Sequence, residues 1–90
     1  MIYPGEIYMA DFEDIDPHPM VVVSREELNR GSWVVAALIT SKRFEERSKL
    51  SNCLALRSGE FGLSRDCVIQ CESIFSLRRE LFREKLGKLD

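Results

Sequence analysis

Short apolar runs alternate along this chain with polar segments marked by glycine and proline. "GEIYMADF", Gly5 to Phe12, is rich in aromatic and apolar side chains and reads as a strand. The "EDIDPHP" that follows is an acidic, proline-punctuated loop. "MVVVS", Met20 to Ser24, is an unbroken apolar run, the pattern of a central strand covered on both faces. "REELNRG" holds one helical turn of good formers and ends on Gly31 as a cap. "SWVVAALITS" is the strongest strand signal, "KRFEERSKLS" reads as a charged loop, "NCLALR" as a further strand and "SGEFG" as a turn with two glycines.

Two segments complete the pattern. "DCVIQCESI" is a fifth strand whose alternation sets Val68, Gln70 and Glu72 on one face and Cys67, Ile69, Cys71 and Ser73 on the other. "SLRRELFREKLGKL" opens on Ser76 as an N-cap and spaces Leu77, Leu81, Phe82 and Leu86 for an amphipathic helix. The predicted architecture is mainly β with short helices. A small, strongly bent sheet or partial barrel of about five antiparallel strands carries a C-terminal amphipathic helix. At 90 residues the chain makes one domain, 1–90.

Composition narrows the class. Hydrophobic residues at 44% and charged residues at 31% suit a globular protein rather than a disordered one. The longest nearly apolar run, Trp33 to Ile39, is too short to span a bilayer, and no hydrophobic leader opens the chain, so a cytoplasmic protein without a membrane partner is expected. The three cysteines, Cys53, Cys67 and Cys71, read as free packing thiols, and with a single histidine no zinc pattern emerges. Net charge is −2, yet residues 1–17 hold five acids and no Lys or Arg, whereas residues 18–90 hold all thirteen Lys and Arg against ten acids. A basic surface on an acidic protein is compatible with a nucleic-acid partner.

No phosphate loop, dinucleotide glycine motif or nucleophile elbow is present, so candidate chemistry falls to polar groups at strand ends. His18 is bracketed by Pro17 and Pro19, which restrict the backbone and lower the cost of presenting its side chain. Thr40 and Ser41 close the most hydrophobic strand, and the cations Lys42, Arg43 and Arg47 follow that corner, an arrangement suited to phosphate capture. Gln70 and Glu72 project to one side of a mostly apolar strand, where they face a groove, a partner or solvent. Each also has a plain structural explanation: strand termination for the hydroxyls, a solvated turn for His18, and a solvated loop for the cations.

Taken in order, "PGEIYMADF", "HPMVVVSREELNRG", "VVAALITS", "FGLSRDCVIQCESI" and the "REKLGKL" ending resemble the MazF/PemK/Kid family of bacterial toxins over nearly the whole chain. The resemblance implies an SH3-like or CcdB-like barrel and the toxin of a type II toxin–antitoxin system. Such a toxin cleaves single-stranded RNA by 2′-OH attack to a cyclic phosphate, needs no metal or other cofactor, works as a homodimer and is blocked by a cognate antitoxin. Carried over by position, Thr40, Ser41 and Pro19 match the family motifs, His18 stands where the family has an arginine, Gln70 where some members have another, and Glu72 keeps a carboxylate. The resemblance therefore implies His18, Thr40 and Glu72 as catalytic residues, with His18 donating or accepting a proton and Glu72 serving as second carboxylate or orienting His18. It implies Pro19, Ser41, Lys42, Arg43 and Gln70 as substrate-binding. The competing expectations are a catalytically weakened barrel that only binds RNA or protein, and a gyrase-targeting toxin of the CcdB type.

Overall fold

The structure is a computed structural model describing residues 1–12 and 16–89; residues 13–15 of the acidic loop lie outside the described residues. Its strands are β1 (Glu6–Ala10), β2 (His18–Val22), β3 (Trp33–Thr40), β4 (Cys53–Leu56), β5 (Cys67–Arg78) and β6 (Phe82–Lys88). Single-turn helices α1 (Glu26–Asn29) and α2 (Phe44–Arg47) follow β2 and β3. All six strands join one sheet in the order β4-β5-β3-β2-β1-β6, and every neighbouring pair is antiparallel.

The apolar alternation explains why the sheet is covered on both faces. Ile7, Val21, Ala37, Ile39 and Ile69 pack on one face beneath Leu63 and Leu86. Ala10, Met20, Val22, Val34 and Ala36 pack on the other with Phe82. Three consecutive residues of β2, Met20, Val21 and Val22, are thus all buried, which is what the unbroken run predicts. The helical turn at 26–29 is also found, closed by the Gly31 amide on the Leu28 carbonyl.

A buried polar staple fixes the far end of the sheet. Asn29 is fully buried, and its Nδ2 donates to the Ile2 carbonyl (3.0 Å) and the Ser24 carbonyl (2.9 Å). Ser24 Oγ donates to Asn29 Oδ1 and accepts from the Val35 amide at 3.0 Å, so the N-terminal segment, α1 and β3 are tied through two side chains. On β1, buried Glu6 accepts from the Tyr3 amide (2.8 Å), Tyr8 hydroxyl (3.1 Å) and Lys85 Nζ (2.6 Å). Burial pushes the Glu6 carboxyl up, but these donors together outweigh it and hold the group below its ordinary value. Burial and the Glu6 carboxylate push the Tyr8 phenol up to about 12.

The chain ends differently from the predicted amphipathic helix. β5 runs on to Arg78, a 3-10 turn spans Arg79–Leu81, and β6 returns along β1, pairing Phe82 with Ala10, Lys85 with Tyr8 and Gly87 with Ile7. Ser76 is a strand residue rather than an N-cap, and the strands number six rather than five. The reason is tertiary. An isolated helix of this length is marginal, whereas a strand here satisfies the amides and carbonyls of the β1 edge and still buries Phe82 and Leu86.

The six strands form one open sheet. Its edges, β4 and β6, are not paired with each other among the described residues. The loop between β4 and β5 instead reaches across to β6, where Gly62 and Gly87 lie so close that a Cβ at Gly62 would fall 2.1 Å from the Leu86 carbonyl oxygen. Gly62, Leu63 and Leu86 at this contact also line a hollow beside the ends of β2 and β3.

Candidate functional site

Register places the key residues. Met20 of β2 pairs with Leu38 of β3 at the end of their ladder, so His18 and Thr40 both lie two residues beyond it toward the same end of the sheet. Thr40 pairs in turn with Val68 of β5. His18, Pro19, Thr40, Ser41 and Lys42 all line one cavity of about 420 Å³. Five of the eight expected site residues therefore come together.

The floor of this cavity is apolar, formed by Met9, Ile39, Leu63, Cys67 and Leu86. Burial pushes the Cys67 thiol up, so it stays protonated and acts as a small apolar wall rather than as a nucleophile. Its Sγ lies 3.3 Å from the Arg65 carbonyl, to which it donates. Three further groups complete the rim: Ser64 and Arg65 from the loop ahead of β5, and Glu84 from β6.

Local backbone chemistry prepares the two central side chains. Thr40 is 6% exposed, and its Oγ1 accepts the Lys42 amide at 3.2 Å, which fixes the rotamer and leaves the hydroxyl proton free to donate. His18 is half-buried, with its ring edge-on to Phe12 at a centroid distance of 6.0 Å. Phe12 also meets Phe75 at 5.9 Å, so the imidazole is held by an aromatic pair on one side and by its proline bracket along the backbone.

Gln70, Glu72 and Arg43 lie outside the cavity lining. Leu38 pairs with Gln70 while its neighbour Ala37 pairs with Ile74, leaving residues 71–73 as a bulge. Glu72 is an exposed side chain of this bulge, and Gln70 Nε2 still approaches Glu72 Oε1 at 3.5 Å, so the two remain neighbours outside the cavity lining. Gln70 Oε1 accepts from Arg47 Nη1 at 2.8 Å and its Nε2 approaches Ser73 Oγ at 3.3 Å, so it ties α2 to β5. Arg43 has a positive φ of 53° and turns the chain into α2.

Arg65 and Glu84 were not among the expected site residues. Arg65 was visible as the cation in "GLSRDC", immediately after the glycine turn. Glu84 was hidden because its segment carries helical spacing. Among the described residues no three His, Cys, Asp or Glu side chains group as a metal site, and no helix is long and apolar enough to cross a membrane.

An open six-stranded sheet with a cation-rimmed hollow at the β2–β3 ends defines the class. The family model for the PemK-like, MazF-like toxin of type II toxin–antitoxin systems matches residues 3–90, and the chain belongs to this family. Two solved structures share its fold. An endoribonuclease in complex with its cognate antitoxin, from a mycobacterial species, is 21% identical with a TM-score of 0.82, covering 100% of this chain and 81% of that one. An endoribonuclease from a mycobacterial species is 20% identical with a TM-score of 0.77, covering 99% and 76%. No curated protein matches the chain.

Proposed function

We propose that this chain is the endoribonuclease toxin of a type II toxin–antitoxin pair and that it cuts single-stranded RNA in the cavity joining His18 to Thr40. One observation carries the reading: a cavity of the toxin fold is lined by His18, Thr40 and the cations Lys42 and Arg65, which have no carboxylate partner among the described residues. The similar structures described as endoribonucleases support it.

In the proposed reaction His18 takes the proton of the ribose 2′-OH, and the 2′-oxygen attacks the adjacent phosphorus. Charge builds on the non-bridging oxygens, where the Thr40 hydroxyl donates and Lys42 and Arg65 neutralise. The P–O5′ bond then breaks, leaving a 2′,3′-cyclic phosphate, and the departing 5′-oxygen takes a proton from solvent. Ser41 and Pro19 shape the phosphate side of the cavity. Glu72 has no step in this scheme, because the bulge sets it outside the cavity. Gln70 and Arg43 belong to the flank along which the strand would run.

The same reading carries a cognate antitoxin and a homodimer, for which exposed Leu28, Trp33, Ile74 and Phe75 supply apolar surface, and it places the protein in the cytoplasm. The purified chain incubated with a mixed-sequence single-stranded RNA and a metal chelator is expected to produce fragments ending in cyclic phosphate and 5′-OH. Intact RNA, with or without added divalent metal, overturns the nuclease reading and leaves a binding module.

A further inference from the structure

The charges around the cavity are not evenly mixed. Lys42 stands at the Thr40–Ser41 corner and Arg65 in the loop ahead of β5, whereas Glu84 approaches from β6. The two cations that flank Glu84 in sequence are engaged elsewhere. Lys85 Nζ lies 2.6 Å from Glu6 Oε2, and Arg83 Nη1 lies 3.4 Å from Asp11 Oδ1. Glu84 therefore keeps a carboxylate with no ion partner among the described residues. Lys42 and Arg65 flank the ends of the neighbouring strands β3 and β5, whereas β6, which carries Glu84, lies three strands from β3. The lining also includes apolar Met9, Pro19, Ile39, Leu63 and Leu86 beside His18, Thr40, Ser41 and Ser64.

A nucleotide has the same layout: an anionic phosphate, two apolar faces on the base and a polar base edge. Its phosphate is repelled by Glu84 and attracted by Lys42 and Arg65, which sets one orientation of the two possible. In that orientation the base covers the apolar floor and its edge meets Glu84. An ionised carboxylate only accepts hydrogen bonds, so it favours a base bearing an exocyclic amino group, as cytosine, adenine and guanine do. Uracil offers only an N–H flanked by two carbonyl oxygens, which face the carboxylate unfavourably. The volume, about 420 Å³, lies within the ordinary range for small-molecule sites.

We propose that the cavity holds one nucleotide of the RNA in this fixed orientation, with its phosphate on Lys42 and Arg65, and that Glu84 selects an amino-bearing base over uracil. The proposal rests on the RNA reading above but concerns recognition rather than cleavage. Glu84 is an exposed rim residue, so Glu84→Gln leaves the fold intact while giving the edge a donor as well as an acceptor.

The test is fluorescence anisotropy with uncleavable 2′-O-methyl oligonucleotides of cytidine, adenosine or uridine. The wild-type chain should bind at least one amino-bearing oligonucleotide roughly tenfold more tightly than the uridine one. Glu84→Gln should bring the two within about twofold. Arg65→Ala should weaken all of them together and lower the slope of log affinity against log salt by about 0.7. Equal wild-type binding to all three, or a preference unchanged in Glu84→Gln, overturns the proposal. A preference that vanishes in Glu84→Gln while RNA is never cut overturns the nuclease reading alone. Cleavage with an unmoved preference overturns the recognition alone.

Discussion

Thr40→Ala is expected to slow cleavage of single-stranded RNA by about 10²–10³-fold, the usual cost of removing one preorganised donor to a developing oxyanion. Thr40 is nearly buried, and its hydroxyl accepts the Lys42 amide, so its remaining proton is aimed by a fixed rotamer rather than by a mobile chain. That preorganisation is why the loss should fall on the chemical step. Single-turnover rates on saturating RNA should drop while affinity for uncleavable RNA stays within about threefold. Thr40→Ser, which keeps the hydroxyl, should recover most of the rate. A Thr40→Ala enzyme cutting at the wild-type rate would remove the hydroxyl from the reaction.

Gly62→Ala should be among the most destabilising single changes in the molecule. Its φ is +76°, and the added Cβ would lie 2.1 Å from the Leu86 carbonyl oxygen, which belongs to β6 and cannot rotate away. Gly87 faces the same contact from the other side, where a Cβ would lie 2.6 Å from the Phe61 carbonyl oxygen. Relief requires the β4–β5 loop to lift off the sheet, exposing Leu63 and widening the cavity. A loss of about 3–4 kcal/mol follows from such a clash added to left-handed backbone strain. For a domain of this size that lowers Tm by roughly 12–25 °C in a thermal melt followed by circular dichroism. Gly59→Ala is the control: its φ is +87°, but a Cβ there meets nothing within 4 Å, so it should lose only the backbone share, about 1 kcal/mol. Equal melting of the two variants would show that this contact does not hold the loop on the sheet.

Much of the fold was legible because its strands are written in period two or as fully apolar runs. The segments at Gly5–Phe12, Met20–Ser24, Ser32–Ser41 and Asn52–Arg57 each contain or overlap an observed strand. The last third was misread for a physical reason. Leu77, Leu81, Phe82 and Leu86 satisfy helical spacing, but the same residues also serve a strand, a tight turn and a returning strand. Here Leu77 and Phe82 join one face, and Leu86 reaches the other through a register shift against β1. Only the vacant β1 edge decides between the two, and local sequence does not display an edge.

The site was legible to a similar degree. His18 and Thr40 were expected together because the family resemblance matches the His18–Pro19 segment and the Thr40–Ser41 strand end to its motifs, and both residues line one cavity. Glu72 could not be placed, because the bulge at residues 71–73 has no glycine or proline to announce it. Glu84 followed the misread helix.

His18 is the chain's only histidine, so its ring protons and carbons give one unmistakable set of NMR signals. Titrating the labelled protein with an uncleavable 2′-O-methyl RNA should move those signals progressively to saturation, with the same midpoint as binding measured by anisotropy. Thr40→Ala should show the same movement. If the RNA binds and the His18 signals stay where they were, the strand lies elsewhere on the molecule and the cavity is not the place where RNA is cut.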